Sequence, residues 1–338
     1  MDKLRPFTTD DPVIAWLFEN DQPSVRYRTL QDLLGFPADH PKLVAARAGI
    51  AQSGPVPELL AHQHIEGYWD LPEKFYNAKY TGTVWNLLFL AELRADPGDP
   101  RIQHACDFIF ERSQDLGSGG FSTGESLKNG GGLPGYVIPC LTGNLVYALI
   151  HLGYLEDPRV QRAIDWLVAM ARADDCDTTP PETPYYRRFE MCYGRHSCHM
   201  GVAKALKGLA AIPLERRTPA IDAKIAELAE YFLKHHLYKR SHTLDQVARP
   251  GWLKFGFPLM YQTDILELLE IFADLDRYDP RLEDALAIVA GKRQADGRWK
   301  LENTFNGKML IDFERKSQPS TWITYRALKV LAWAEGRR

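Results

Sequence analysis

The chain has 338 residues, 45% hydrophobic and 25% charged, a composition that excludes a disordered protein and supplies a large apolar core. Its formal net charge is −3, with basic residues scattered among acidic ones, so no nucleic-acid partner is expected. No apolar run approaches the roughly 18 residues of a membrane span, and five dispersed cysteines fit reduced thiols or a metal site better than a disulfide framework. The opening Met1-Asp2-Lys3-Leu4-Arg5 lacks an apolar leader segment, and a cytoplasmic protein is expected.

From the N-terminus, Asp11 to Asn20 opens with Pro12 and reads as a helix, followed by an apolar segment over 24–34. Pro41 then starts an amphipathic helix. The alternation continues through 81–95, Pro100, 140–153, Pro158, 197–212, Pro219, 261–275, Pro280 and 319–335. The prolines from Pro41 to Pro280 stand 59, 58, 61 and 61 residues apart. Three of them read Asp-Pro-Arg, at Asp99, Asp157 and Asp279, and Thr218-Pro219 is a fourth start with a different cap. Asp or Thr satisfies free N–H groups at a helix start, and proline loses no hydrogen bond in the first turn. Segments after the prolines carry one apolar stripe, for example Ile102, Ala105, Cys106 and Ile109, and read as outer helices. Segments such as Leu141 to Leu152 and Val202 to Ala211 are apolar nearly all round and read as inner helices. Six alternating pairs predict an all-α fold, an (α/α)6 toroid occupying 1–338 as a single domain.

Glutamine, glycine and an aromatic residue recur after the outer helices, as Gln63-x3-Gly67-x-Trp69, Gln294-x2-Gly297-x-Trp299, and Gln114 before Gly119-Gly120-Phe121. Glycine permits the turn, and the amide and ring tie one outer helix to the next. The pattern resembles the glutamine–tryptophan repeat of the squalene cyclase and protein prenyltransferase β-subunit superfamily. Nearly the whole chain is similar to bacterial and archaeal prenyltransferase-like members of it, through Lys79-Tyr80-Thr81-Gly82-Thr83-Val84-Trp85, Pro139-Cys140-Leu141-Thr142-Gly143-Asn144, Arg195-His196-Ser197-Cys198-His199-Met200-Gly201 and Gly251-Trp252-Leu253-Lys254-Phe255-Gly256-Phe257-Pro258. The resemblance implies a terpene cyclase/prenyltransferase-like enzyme acting on an isoprenoid or other apolar substrate. Relatives also touch membranes through an apolar plateau, and no contiguous segment here supplies one.

The Asp-x-Asp-Asp acid of squalene cyclases and the Asp-Asp-x-x-Asp magnesium motif are both missing. Asp174-Asp175-Cys176-Asp177 is the nearest string and reads as a solvated loop, while His235, His236 and His242 read as surface. Chemistry concentrates instead at the N-terminal ends of the inner helices, where converging helix dipoles favour negative charge. Substrate contacts are expected there from Tyr80, Trp85, Asn144, Arg195, Trp252, Tyr261 and Trp322, with Tyr147 and Phe255 in the apolar lining. Cys140, Cys198, His196, His199 and Asp264 are the catalytic candidates: thiols activated at helix starts, with imidazole partners, and a carboxyl whose burial would raise its pKa. Cys192, Cys198 and His199 form a zinc-ligand candidate, against the bare-thiol and packed-cysteine readings. Alternatives to the isoprenoid enzyme are a zinc- or thiol-dependent hydrolase or transferase on a smaller polar substrate, and a non-catalytic lipid- or protein-binding toroid. A dry aromatic tunnel would favour the first, a polar bowl the second.

Overall fold

A computed structural model of the chain describes residues 7–19, 22–175, 189–193 and 197–337. It is mostly helical. The helices are α1 (Pro12–Glu19), α2 (Pro23–Arg28), α3 (Pro41–Gly49), α4 (Pro55–Ala61), α5 (Thr83–Glu92), α6 (Pro100–Ser113), α7 (Pro139–His151), α8 (Pro158–Met170), the single turn α9 (Glu190–Tyr193), α10 (His199–Ala210), α11 (Pro219–Lys234), α12 (Ile265–Asp274), α13 (Glu283–Gly291) and α14 (Thr321–Glu335). The only strands among the described residues are a hairpin of Lys239–Arg240 and Thr243–Val247. No described helix is long and apolar enough to cross a membrane.

The capping expectation holds in atomic detail. The carboxylates of Asp99, Asp157 and Asp279 accept from the N–H of the arginine two residues on, at 2.9, 2.8 and 2.9 Å, and each also takes that arginine's guanidinium. Thr218 caps α11 by accepting from Ile221 N–H at 3.3 Å. Two starts differ from the expected pattern. Pro280 opens a short 3-10 turn, Pro280–Leu282, before α13, and the outer segment after Pro41 is divided into α3 and α4. The segment over 24–34 also relaxes from α2 into a π-turn at Thr29–Leu33.

The helices that are apolar all round pack in one series, α5 on α7, α7 on α10, α10 on α12, α12 on α14, and α14 on α2. Ser24 Oγ donates to Leu93 O at 2.6 Å, joining α2 to the end of α5. The closest of these contacts, α7 on α10, depends on missing side chains. A Cβ on Gly143 would lie 2.2 Å from Lys204 O, and one on Gly208 2.6 Å from Gly143 O. Two backbones therefore meet where any larger residue would hold them apart.

The glutamine repeat ties neighbouring units at Gln63 and Gln114. Gln63 Nε2 donates to Gly67 O (3.2 Å) and to Arg101 O (2.8 Å), and Gln114 Nε2 to Gly119 O (2.8 Å) and Arg159 O (2.7 Å). Each amide thus closes its own turn and grips the first turn of the next outer helix. Gly67, Gly119 and Gly297 have φ of 88°, 83° and 82°, which a side chain would strain. The ring that follows is anchored twice. Trp69 and Trp299 donate Nε1–H to Leu59 O (2.9 Å) and Val289 O (2.7 Å). The backbone N–H groups of Trp69, Phe121 and Trp299 donate to the hydroxyls of Thr83 (3.2 Å), Thr142 (3.0 Å) and Thr324 (3.0 Å) on the inner helix that follows.

Candidate functional site

Charged residues sit inside helices that are otherwise apolar, and most of them face one space. A cavity of about 320 Å³ is lined by Arg28, Gln31 and Asp32, by Glu92 and Arg94 at the end of α5, by Tyr147 and His151 of α7, by Lys207, Ala210 and Ala211 at the end of α10, by Glu267, Glu270, Ile271 and Asp274 of α12, and by Arg326 and Lys329 of α14. Most of the lining comes from the C-terminal halves of these helices, joined by Glu267 from the first turn of α12 and Arg326 from the first half of α14. Five of these residues are basic (Arg28, Arg94, Lys207, Arg326, Lys329) and five acidic (Asp32, Glu92, Glu267, Glu270, Asp274).

The pairing is dense. Lys204 Nζ lies 2.7 Å from both oxygens of Glu267, and Lys207 Nζ bridges Glu267 Oε1 at 2.9 Å and Glu92. Glu270 accepts from Arg326, from Lys329 at 3.3 Å and from Arg28 at 3.4 Å. Arg28 Nε also reaches Asp32 at 2.9 Å, and Tyr325 donates its hydroxyl to the same carboxylate. Tyr147 donates to Glu92 Oε2 at 3.3 Å, beneath the Lys207 ammonium 4.2 Å from its ring centroid.

Burial governs the protonation states. It would push the Glu267 carboxyl up, but Lys204 and Lys207 outweigh it and hold the group down to about 2. Burial likewise works against ionisation of Glu270, Glu92 and Asp32, and the cations beside them win, lowering all three. Lys204 is pushed down to about 8 by burial that Glu267 only partly offsets, so it stays protonated at neutral pH. His151 is driven well below its ordinary value by burial and then by Arg94, Arg28 and Lys207, which leaves a neutral imidazole on the cavity wall. These groups offer fixed charges of both signs and one neutral imidazole.

The opposite end, where the inner helices begin, is filled with rings. Tyr80 packs on Phe305 (centroids 4.1 Å apart), Trp85 (5.4 Å) and Tyr261 (6.4 Å), and the exposed Lys79 ammonium stands 4.4 Å from the Tyr261 centroid. Trp322 stacks on Phe257 at 4.1 Å and 9°. Trp252 lies elsewhere, flat against the His199 ring at 3.6 Å and 11°. Asn144 donates to Met260 O at 3.2 Å, and Trp85 Nε1–H to Tyr76 O at 2.9 Å, so both polar groups are used within the fold. The substrate contacts expected from the sequence therefore fall into two ring groups and a histidine stack, while Arg195 and His196 lie outside the described residues.

Asp264 is the N-cap of α12, its carboxylate oxygens accepting from Glu267 N–H at 2.8 Å and Gly256 N–H at 2.9 Å. Burial raises it to about 6, against the pull of Arg326 and the two N–H groups. Cys140, in the first turn of α7, is buried and its thiol is pushed up to about 12 by that burial. Among the described residues no three His, Cys, Asp or Glu side chains gather as a metal-binding group. Cys192, Cys198 and His199 are not grouped as such a set, and both His199 ring nitrogens are buried with no hydrogen-bond partner among the described residues. Two surface expectations need correction. His235 is buried, with Nδ1 2.8 Å from Lys239 O, and Asp174 accepts from Ser197 Oγ at 2.7 Å. Cys176 and Asp177 lie outside the described residues.

Sequence reading missed Glu92, Lys204, Lys207, Glu267, Glu270 and Lys329. Their signal was present as charged pairs three residues apart inside apolar segments: Lys204 with Lys207, Glu267 with Glu270, Arg326 with Lys329. Such spacing keeps both charges on one helix face, and in a helix buried on most sides that face must meet partners.

No family model matches the chain, and no curated protein sequence matches it. A solved structure described as the crystal structure of a protein from Actinoplanes is similar over 94% of this chain and 89% of its own, with 15% identity and a TM-score of 0.43.

Proposed function

We propose that the chain is an (α/α)6 toroid whose central cavity binds a small, polar, net-neutral ligand, a zwitterion or a polyol. The toroid is supported by the series of inner-helix contacts closing from α14 through α2 to α5, and by glutamine ties between successive outer helices. The binding reading is carried by one observation: a cavity of about 320 Å³ whose wall takes five basic and five acidic side chains. Balanced fixed charges favour a ligand that carries both signs or many hydroxyls, and repel neither end of it. An isoprenoid would gain little against such a wall, because each charged group it covered would lose water without a replacement. The polar-substrate alternative is therefore preferred to the apolar one.

The carboxylates Asp32, Glu92, Glu267 and Glu270 are all held in the charged form, so they bind and orient and do not donate protons. His151, kept neutral by burial and by the cations around it, is a weak base and offers a bound ligand a neutral hydrogen-bonding group. A thermal-shift panel of free amino acids, monosaccharides, farnesyl diphosphate and squalene tests the reading. Stabilisation by a member of the first two classes, lost in Lys329→Met, is expected. Stabilisation confined to farnesyl diphosphate or squalene and unchanged in Lys329→Met would overturn it.

A further inference from the structure

A second cavity, of about 450 Å³, shares no lining residue with the first. Its charged lining is four lysines, Lys254, Lys292, Lys300 and Lys316, against the single carboxylate of Glu302. The central cavity balances its signs. This one carries a net charge of +3, in a chain whose formal net charge is −3.

Backbone hydrogen bonds bring the lysines together from distant parts of the chain. The N–H groups of Glu302 and Asn303 both donate to Phe255 O, at 2.9 and 3.0 Å, while Leu301 N–H donates to Gln318 O at 3.0 Å and Ser317 N–H to Leu301 O at 2.7 Å. The segments bearing Lys254, Lys300 and Lys316 are thereby fixed side by side. Lys292, just past the end of α13, completes the set: its ammonium donates to Leu253 O and to Glu302, each at 2.5 Å, and stands 4.4 Å from the Phe255 ring centroid. Glu302 also accepts from Phe255 N–H at 2.8 Å, so the one carboxylate is already engaged. Its bond to Lys292 is the only ion pair among the lining residues, and Lys254, Lys300 and Lys316 are exposed.

Like charges on one concave wall repel each other and focus a positive field, which a bound anion relieves. The residue type narrows the anion. A planar carboxylate is matched best by an arginine fork, and no arginine lines this cavity; ammonium groups are point charges that can meet a compact tetrahedral phosphate from several sides. Gln294 and Ser317 add neutral hydrogen-bonding groups to the same wall. We propose that this cavity binds a small phosphate-bearing molecule with at least two negative charges. Lys254, Lys300 and Lys316 supply the charge that meets it, and the Lys292–Glu302 pair holds the segments in place. The site stands apart from the ligand of the central cavity, because the two share no residue.

Calorimetric titration of the full chain with sodium diphosphate, inorganic phosphate, glucose 6-phosphate and citrate, at about 150 mM salt to screen diffuse attraction, tests the proposal. Diphosphate should bind at least about 10-fold more tightly than citrate, and the exposed double substitution Lys300→Gln with Lys316→Gln should weaken it by about the same factor. Glucose 6-phosphate binding more tightly than inorganic phosphate would identify an organic ester as the source of the group, and equal binding the phosphate alone; either result supports the proposal. In the unsubstituted chain, diphosphate should slow acetylation of Lys254, Lys300 and Lys316 relative to the exposed Lys128, read by peptide mass mapping. No binding of any phosphate probe, citrate as tight as diphosphate, an unchanged affinity in the folded double variant, or equal protection at Lys128 would each overturn it.

Discussion

At the end where the inner helices begin, polar side chains cap helices and rings pack on rings; towards the other end, charged side chains from α2, α5, α10, α12 and α14 face one cavity. Asp264, Asn144 and Trp85 belong to the first end, and each has its polar atoms taken up by backbone groups. Glu92, Lys207, Glu270 and Arg326 belong to the second, and they pair with one another across different helices. A charge brought into a protein interior costs several kcal/mol unless it is paired. Here the charges meet that condition by pairing with one another across helices. The comparison teaches that polar residues at helix starts are first explained by capping, and that charge in the middle of an apolar helix is the stronger pointer to a site.

The largest effect should come from breaking the close backbone approach that holds the two ends in register. Gly143→Ala places a Cβ 2.2 Å from Lys204 O, and a loss of about 3 kcal/mol or more, or failure to fold, is expected by urea denaturation. Glu270→Gln leaves Arg28, Arg326 and Lys329 short of a shared partner and should cost about 3–5 kcal/mol in the same assay. A smaller loss than that of Gln114→Ala would mean that the charged end is solvated and the comparison false. Gln114→Ala removes two hydrogen bonds from a buried amide at the bracing belt, and about 1–2 kcal/mol is expected.

Two carboxyls at the start of α12, one capping and one in the ion network, should also separate by pH. Glu267 has a folded value of about 2 against an ordinary 4.5, so its contribution is complete above about pH 4.5 and fades as pH falls towards 2. Asp264 runs the other way. Its folded value of about 6 exceeds the ordinary 3.8, so the stability it contributes is present below about pH 4 and lost as pH rises through 6. Denaturation midpoints measured from pH 2.5 to 7 should lose their acid slope in Glu267→Gln and their slope between pH 4 and 6 in Asp264→Asn. The smallest effect is expected at the rim, where Asp99→Ala removes one cap and should cost about 1 kcal/mol.

Much of the helical frame was legible in the sequence. Asp-Pro-Arg states its own geometry, because aspartate and arginine satisfy each other within three residues, and the glutamine repeat names donors whose acceptors lie in the adjoining glycine turn and at the next proline-led helix start. The cavity was harder to see. Periodicity tells which residues share a face, but Lys204 and Lys207 share theirs with apolar neighbours, and only the packing of α10 against α7 and α12 shows that the face turns inward. The ring clusters misled for the opposite reason: Tyr80, Trp85 and Tyr261 lie together as expected, yet no pattern in the chain says whether Phe305 packs onto Tyr80 beside them.

The most direct test of the central account is calorimetric titration of zwitterionic amino acids and of monosaccharides into the wild-type chain, Lys329→Met and Trp85→Leu. Binding of a compound from either class that weakens at least 10-fold in Lys329→Met and is unchanged in Trp85→Leu is the predicted result. Binding that survives Lys329→Met and is lost in Trp85→Leu would contradict it and return the site to the ring-filled end.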